Sequence, residues 1–60
     1  MTLKIGSKYT LRFEINNKEL VFTGIIKDDD GTIITFEDKY GKELSYNRCK
    51  LISAEVLSNE

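Results

Sequence analysis

Apolar and polar residues alternate along most of this chain, and the alternation stops only at short clusters of turn-forming residues. The clearest run places Tyr9, Leu11, Phe13 and Ile15 on one side and Thr10, Arg12 and Glu14 on the other. A period of two marks a strand, whose successive side chains point to opposite faces. The interruptions are Asn16-Asn17, Asp28-Asp29-Asp30-Gly31 and Asp38-Lys39-Tyr40-Gly41. Asn, Asp and Gly tolerate the backbone angles of tight reversals, so each cluster predicts a hairpin. Strands are expected over residues 8–15, 19–27, 32–37, 42–46 and 51–57. The alternation lapses at Asn47-Arg48-Cys49-Lys50, which reads as one helical turn or loop.

The second strand carries apolar residues on both faces: Leu20, Phe22 and Ile26 with Gly24 on one, Val21 and Ile25 with Thr23 and Lys27 on the other. It therefore belongs mid-sheet. Gly24 inside it suits a wall that coils sharply or another backbone passing close by. Thr32 to Phe36 is β-branched or aromatic, which favours a pleated surface over a helix. Leu3 and Ile5 precede the first strand in its parity, with Gly6-Ser7 as a bend. Residues 47–57 also admit a short helix with Cys49, Ile52, Ala54, Val56 and Leu57 on one side. That alternative leaves a four-stranded sheet with unpaired edges, so a fifth strand returning beside the first is preferred. The expected core is Leu11, Phe13, Phe22, Ile26, Ile34, Phe36, Leu44, Ile52 and Val56, and residues 58–60 are expected to fray.

Four strands in a meander, one helical turn and a returning fifth strand resemble the SH3-like small barrels, among them the Sm-like and KOW-type domains. Within residues 21–56, Phe22-Thr23-Gly24-Ile25-Ile26 ahead of an acidic loop looks like the first segment of Sm-like proteins. Leu44-Ser45-Tyr46-Asn47-Arg48-Cys49 looks like the second, with Cys49 where the family carries glycine. Ile34 stands where the family carries its base-binding asparagine. The resemblance implies an all-β, five-stranded antiparallel barrel and adds little to the case for RNA binding.

Composition narrows the chemistry. Sixty residues make one domain, which buries only about 60% of its unfolded surface and is correspondingly marginal. Cys49 is the sole cysteine, so no disulfide forms within the chain, and a free thiol suits a reducing cytoplasm. There is no histidine, hence no imidazole base, no partner to activate the thiol and no set of four nitrogen or sulfur ligands for zinc. The aspartates at 28–30 lack the alternate spacing of a calcium loop. No enzyme, metal or cofactor is expected. No run of about 20 apolar residues spans a bilayer, and the N-terminus has no signal-peptide core.

Two binding surfaces remain. Nine basic and ten acidic residues nearly cancel, yet Lys8 and Arg12 share the outward parity of strand one. A returning strand five would bring Arg48 and Lys50 to the same flank, a phosphate-binding surface for RNA or DNA on which Tyr46 or Tyr40 stacks bases. The other surface is apolar: Val21, Ile25 and Ile33 would line the outer sheet face and dock a protein partner or a second copy. The leading expectation is a nucleic-acid-binding module; the rival is protein interaction or homo-oligomerisation.

Overall fold

The computed structural model describes residues 3–58. Five antiparallel strands form one sheet in the order β4-β3-β2-β1-β5: β1 Lys8–Ile15, β2 Lys18–Asp29, β3 Ile33–Asp38, β4 Glu43–Asn47 and β5 Leu51–Ser58. A single 3₁₀ turn, Arg48–Lys50, joins β4 to β5. The expected architecture is the one that forms, and the C-terminal residues return along β1 as a strand rather than coiling into a helix. Ser58 belongs to β5, while residues 59 and 60 of the expected frayed tail lie outside the described residues.

The sheet is strongly curled. Neighbouring strands lie about 4.8 Å apart, so β1 and β4, three strands apart, would be about 14 Å apart in a flat sheet. Instead the rings of Phe13 on β1 and Tyr46 on β4 have centroids 5.1 Å apart. Phe22 and Phe36 complete a four-ring cluster with centroid separations up to 6.2 Å. At Gly24 the backbone of β3 passes close to β2. A Cβ there would lie 2.5 Å from the Glu37 carbonyl oxygen and 3.0 Å from the Phe36 ring, so only glycine lets β3 approach.

Leu11, Phe13, Ile26, Ile34 and Phe36 are fully buried, with Phe22, Leu44 and Tyr46 packed against them. The fifth strand corrects the expected core. Leu51 faces Phe13, but Arg12 faces Ser53, so Ile52 is an extra residue pushed out of the ladder. Leu57 is extruded in the same way between Val56 and Ser58. Val56 does lie opposite Tyr9, yet it sits on the outermost strand with no neighbour beyond it. Ile52 and Val56 are each 52% exposed, and Leu51, Ala54 and Leu3 contribute to the core instead. Leu3 arrives because residues 3–7 fold against β2, where Gly6 donates to the Ile26 carbonyl and Ile26 to that of Ser7.

Candidate functional site

The sequence-predicted basic residues do not form a continuous flank. β5 lies beside β1 as expected, and Lys8 and Arg12 face outward from β1. They are four residues apart, about 13 Å along the strand. Arg12 is engaged by Glu19 at 2.7 Å. Glu55 stands opposite Thr10, placing a carboxylate beside the gap between the two cations. Lys50 sits in the 3₁₀ turn at the far end of β1, next to Leu51, the partner of Phe13.

Arg48 points inward. Its guanidinium hydrogen-bonds Asp29 Oδ2, and the Asp29 side chain is only 2% exposed. The same carboxylate accepts the Leu3 amide at 3.2 Å and the Gly31 amide at 3.1 Å. Burial alone would raise the Asp29 pKa. The Gly31 and Leu3 amides and the Arg48 cation outweigh it and hold the carboxyl below the ordinary aspartate range. Asp29 thus ties the N-terminal segment, the β2–β3 hairpin and the 3₁₀ turn together. This role had no signal in the sequence, where the three aspartates read together as one hairpin turn. Asp30 serves only its own turn, accepting the Thr32 and Ile33 amides, and Asp28 faces solvent.

The two tyrosines part company. Tyr46 belongs to the ring cluster, with its face spent on Phe13 and Phe22. Tyr40 stands 81% exposed at the tip of the β3–β4 hairpin, with the Lys39 ammonium 5.3 Å from its ring centre. The expected apolar stripe is also divided. Ile25 is half-buried between Lys8 and Glu37 on the neighbouring strands. Ile33 lies four residues from Glu37 along β3, about 13 Å away. Val21 is 54% exposed and stands apart from both.

Val21 instead lines a cleft with Tyr40. The cleft holds about 210 Å³ between Val21, Phe22 and Thr23 on one wall and Asp38, Lys39 and Tyr40 on the other. It exists because the strands differ in length. β2 pairs with β1 from Lys18 to Ile25 but with β3 only from Gly24 onward. Among the described residues, the edge of β2 before Gly24 therefore has no strand beside it on the side away from β1. Backbone geometry says which groups face the gap. Asn16 and Asn17 both have positive φ, and this two-residue turn makes Ile15 and Lys18 a hydrogen-bonded pair. Counting on from that pair, Lys18, Leu20 and Phe22 bond to β1, while Glu19, Val21 and Thr23 aim N–H and C=O away from β1, the last two at the cleft. No backbone bond joins these three to the β3–β4 turn. The sequence already carried the signal: the second predicted strand is longer than the third, so part of it had to outrun its neighbour.

A more open polar recess of about 470 Å³ lies at the Asn16-Asn17 end, lined by Glu14, Asn16, Asn17, Cys49, Lys50, Leu51 and Ile52. Among the described residues no three acidic or thiol groups gather as a metal site, and no helix is long and apolar enough to cross a membrane. Comparison with known protein families, curated proteins and solved structures returns no match for this chain.

Proposed function

We propose that the protein is a non-catalytic interaction module that takes an extended protein segment along the free edge of β2. The observation that carries this reading is the coincidence of unpaired backbone groups along Glu19, Val21 and Thr23 with a cleft in which Val21, Phe22 and Tyr40 stand beside Thr23, Asp38 and Lys39. Strand addition to a sheet edge draws affinity from main-chain hydrogen bonds and specificity from pockets for alternate side chains. The unpaired edge of β2 offers the main-chain groups, and the Val21–Tyr40 cleft offers one such pocket. Val21 remains at the docking surface from the set expected in the sequence, and Tyr40 passes from a base-stacking role to a wall of the cleft.

The nucleic-acid reading keeps less support. Arg12 and Arg48 are engaged by carboxylates, Tyr46 is packed inside, and Lys8 and Lys50 lie at opposite ends of β1. One experiment separates the two. A displayed peptide library is panned on the wild type and on Val21→Lys and Tyr40→Ala, and anisotropy is measured with single-stranded RNA and duplex DNA at two salt concentrations. The edge reading expects enriched peptides whose binding both variants weaken at least tenfold. Oligonucleotide binding that falls steeply with salt, without peptide enrichment, would return the phosphate surface.

A further inference from the structure

Resting on the edge-docking reading, we infer that the segment added to β2 is the amino-terminal end of another protein, a short apolar strand that runs antiparallel to β2 and stops in the Val21–Tyr40 cleft. The lane beside β2 is closed at one end. From Gly24 onward it belongs to β3, with Asp38 opposite Gly24 and Glu37 opposite Ile25. After Asp38 the chain turns back into β4 through a tip closed by the Gly41 amide on the Asp38 carbonyl. A guest strand beside Glu19 to Phe22 therefore meets this tip head-on. A chain passing through would have to leave the sheet within a residue or two, whereas a chain that ends there has no bend to make. The cleft, about 210 Å³, is smaller than the roughly 300–1,000 Å³ of pockets that take whole ligands, which suits the end of a chain.

The sense of the guest follows from what the tip offers. An antiparallel guest brings its amino end to the tip, and a parallel one its carboxyl end. Asp38 is half-buried and lines the cleft. Its Oδ1 accepts the Tyr40 and Lys42 amides, which leaves Oδ2 for an ammonium. The exposed Tyr40 ring already draws the Lys39 ammonium to 5.3 Å from its centre, so its face takes a cation. An α-ammonium thus finds a carboxylate and an aromatic face, whereas a terminal carboxylate would be set against Asp38. Antiparallel pairing is also the more stable per residue, and it is the sense of all four pairings in this sheet.

The side chains of β2 set the rest of the guest. Its first residue lies opposite Phe22 and its third opposite Leu20, both half-buried and themselves opposite the buried Leu11 and Phe13. Its second lies opposite the exposed Val21 and its fourth opposite Glu19. The second and fourth make the main-chain bonds, since Val21 and Glu19 aim theirs away from β1. Three apolar residues directly after a free amino group are the expected signature, with a β-branched one in second place.

The probe is the peptide Leu-Val-Leu-Thr-Lys-Gly, labelled at its carboxyl end and followed by fluorescence anisotropy. It is offered with a free amino end, acetylated, or extended by Gly-Ser-Gly-Ser before the first leucine. The reversed peptide Gly-Lys-Thr-Leu-Val-Leu, labelled at its amino end and ending in a free carboxylate, is the parallel control. The free amino form should bind, and acetylation, extension and Val21→Lys should each weaken it at least about tenfold. Asp38→Asn keeps the Oδ1 acceptor of the turn and removes the charge. It should lower the free form to the affinity of the acetylated one and leave the acetylated form unchanged. Lys39→Gln should tighten the free form about threefold, because no internal ammonium then competes for the Tyr40 ring. Circular dichroism checks that the variants remain folded. Acetylated or extended peptides that bind as well as the free form, or tighter binding of the reversed peptide, overturn the amino-terminal guest; the edge reading then stands as long as Val21→Lys weakens the binding. If no form binds, the amino-terminal guest falls. Val21-dependent peptides from the panned library then keep the edge reading with another guest, and a library without enrichment removes it too.

Discussion

At the scale of single residues, two positions decide more than their size suggests. Gly24 is held by lack of space, since any side chain there meets the Glu37 carbonyl before it meets solvent. Backbone cannot rotate aside as a side-chain tip can, so Gly24→Ala must separate β2 from β3. The expected cost is about 2 kcal/mol, in the range of overpacked cores, read from the midpoint of urea unfolding. Asp29 is held by three donors. Its pKa is lowered in the folded protein, so the native state resists protonation more than the unfolded chain does. The stability it confers is complete above the unfolded aspartate value, near 3.9, and is lost as pH falls through the lower folded value. Stability followed by denaturant titration between pH 6 and pH 2 should fall on this acid limb for the wild type. Asp29→Asn should be weaker at neutral pH, by about 3 kcal/mol for a partner removed from a buried pair, and flatter in acid. A wild-type limb retained in full by Asp29→Asn would assign it to other carboxylates.

At the scale of elements, the turns do the local work and the lengths do the rest. Asn16 and Asn17 adopt φ of 54° and 64°, the pair of positive angles that matches the twist of two flanking strands. Asn16→Ala keeps the strands but asks a residue without a local hydrogen-bonding side chain to hold that angle. It should cost about 1 kcal/mol, whereas Asn17→Gly should be neutral or stabilising. Calorimetric melting of the two variants checks the difference in sign. These turns were legible in the sequence because their residue types are restricted by backbone sterics, and they fixed β1 to the residue. The bulges in β5 were not legible, because Leu51 to Leu57 offers apolar residues at several parities and only the pairing with β1 selects among them. Arg48 shows the same limit from the other side. A lone arginine before a strand looks like surface charge until the fold brings Asp29 beneath it. The Val21–Tyr40 cleft lies between, since the mismatch in strand length was visible but the hairpin tip that walls it was placed by the curl.

At the scale of the whole molecule, one cluster holds every layer. Phe13 on β1 touches rings from β2, β3 and β4, and its strand neighbour on β5 is Leu51. Among the described residues the buried side chains form a single cluster, so the strands are expected to melt together once this ring is lost. A stable domain of 60 residues has about 3–9 kcal/mol to lose at the usual stability per residue. Phe→Ala at a buried site removes about 3–5 kcal/mol. Phe13→Ala should therefore leave the protein largely unfolded at 37 °C, while Phe13→Leu, which keeps most of the volume, should fold with a lowered midpoint. Far-ultraviolet circular dichroism and tyrosine fluorescence should trace the same urea transition for the wild type and Phe13→Leu, because Tyr46 sits in the cluster and Tyr9 faces Val56 at the opposite edge. Separate transitions would mean that the β1–β5 pair and the β2–β4 meander are held by different interactions, and the single ring cluster would lose its place as the centre of the fold.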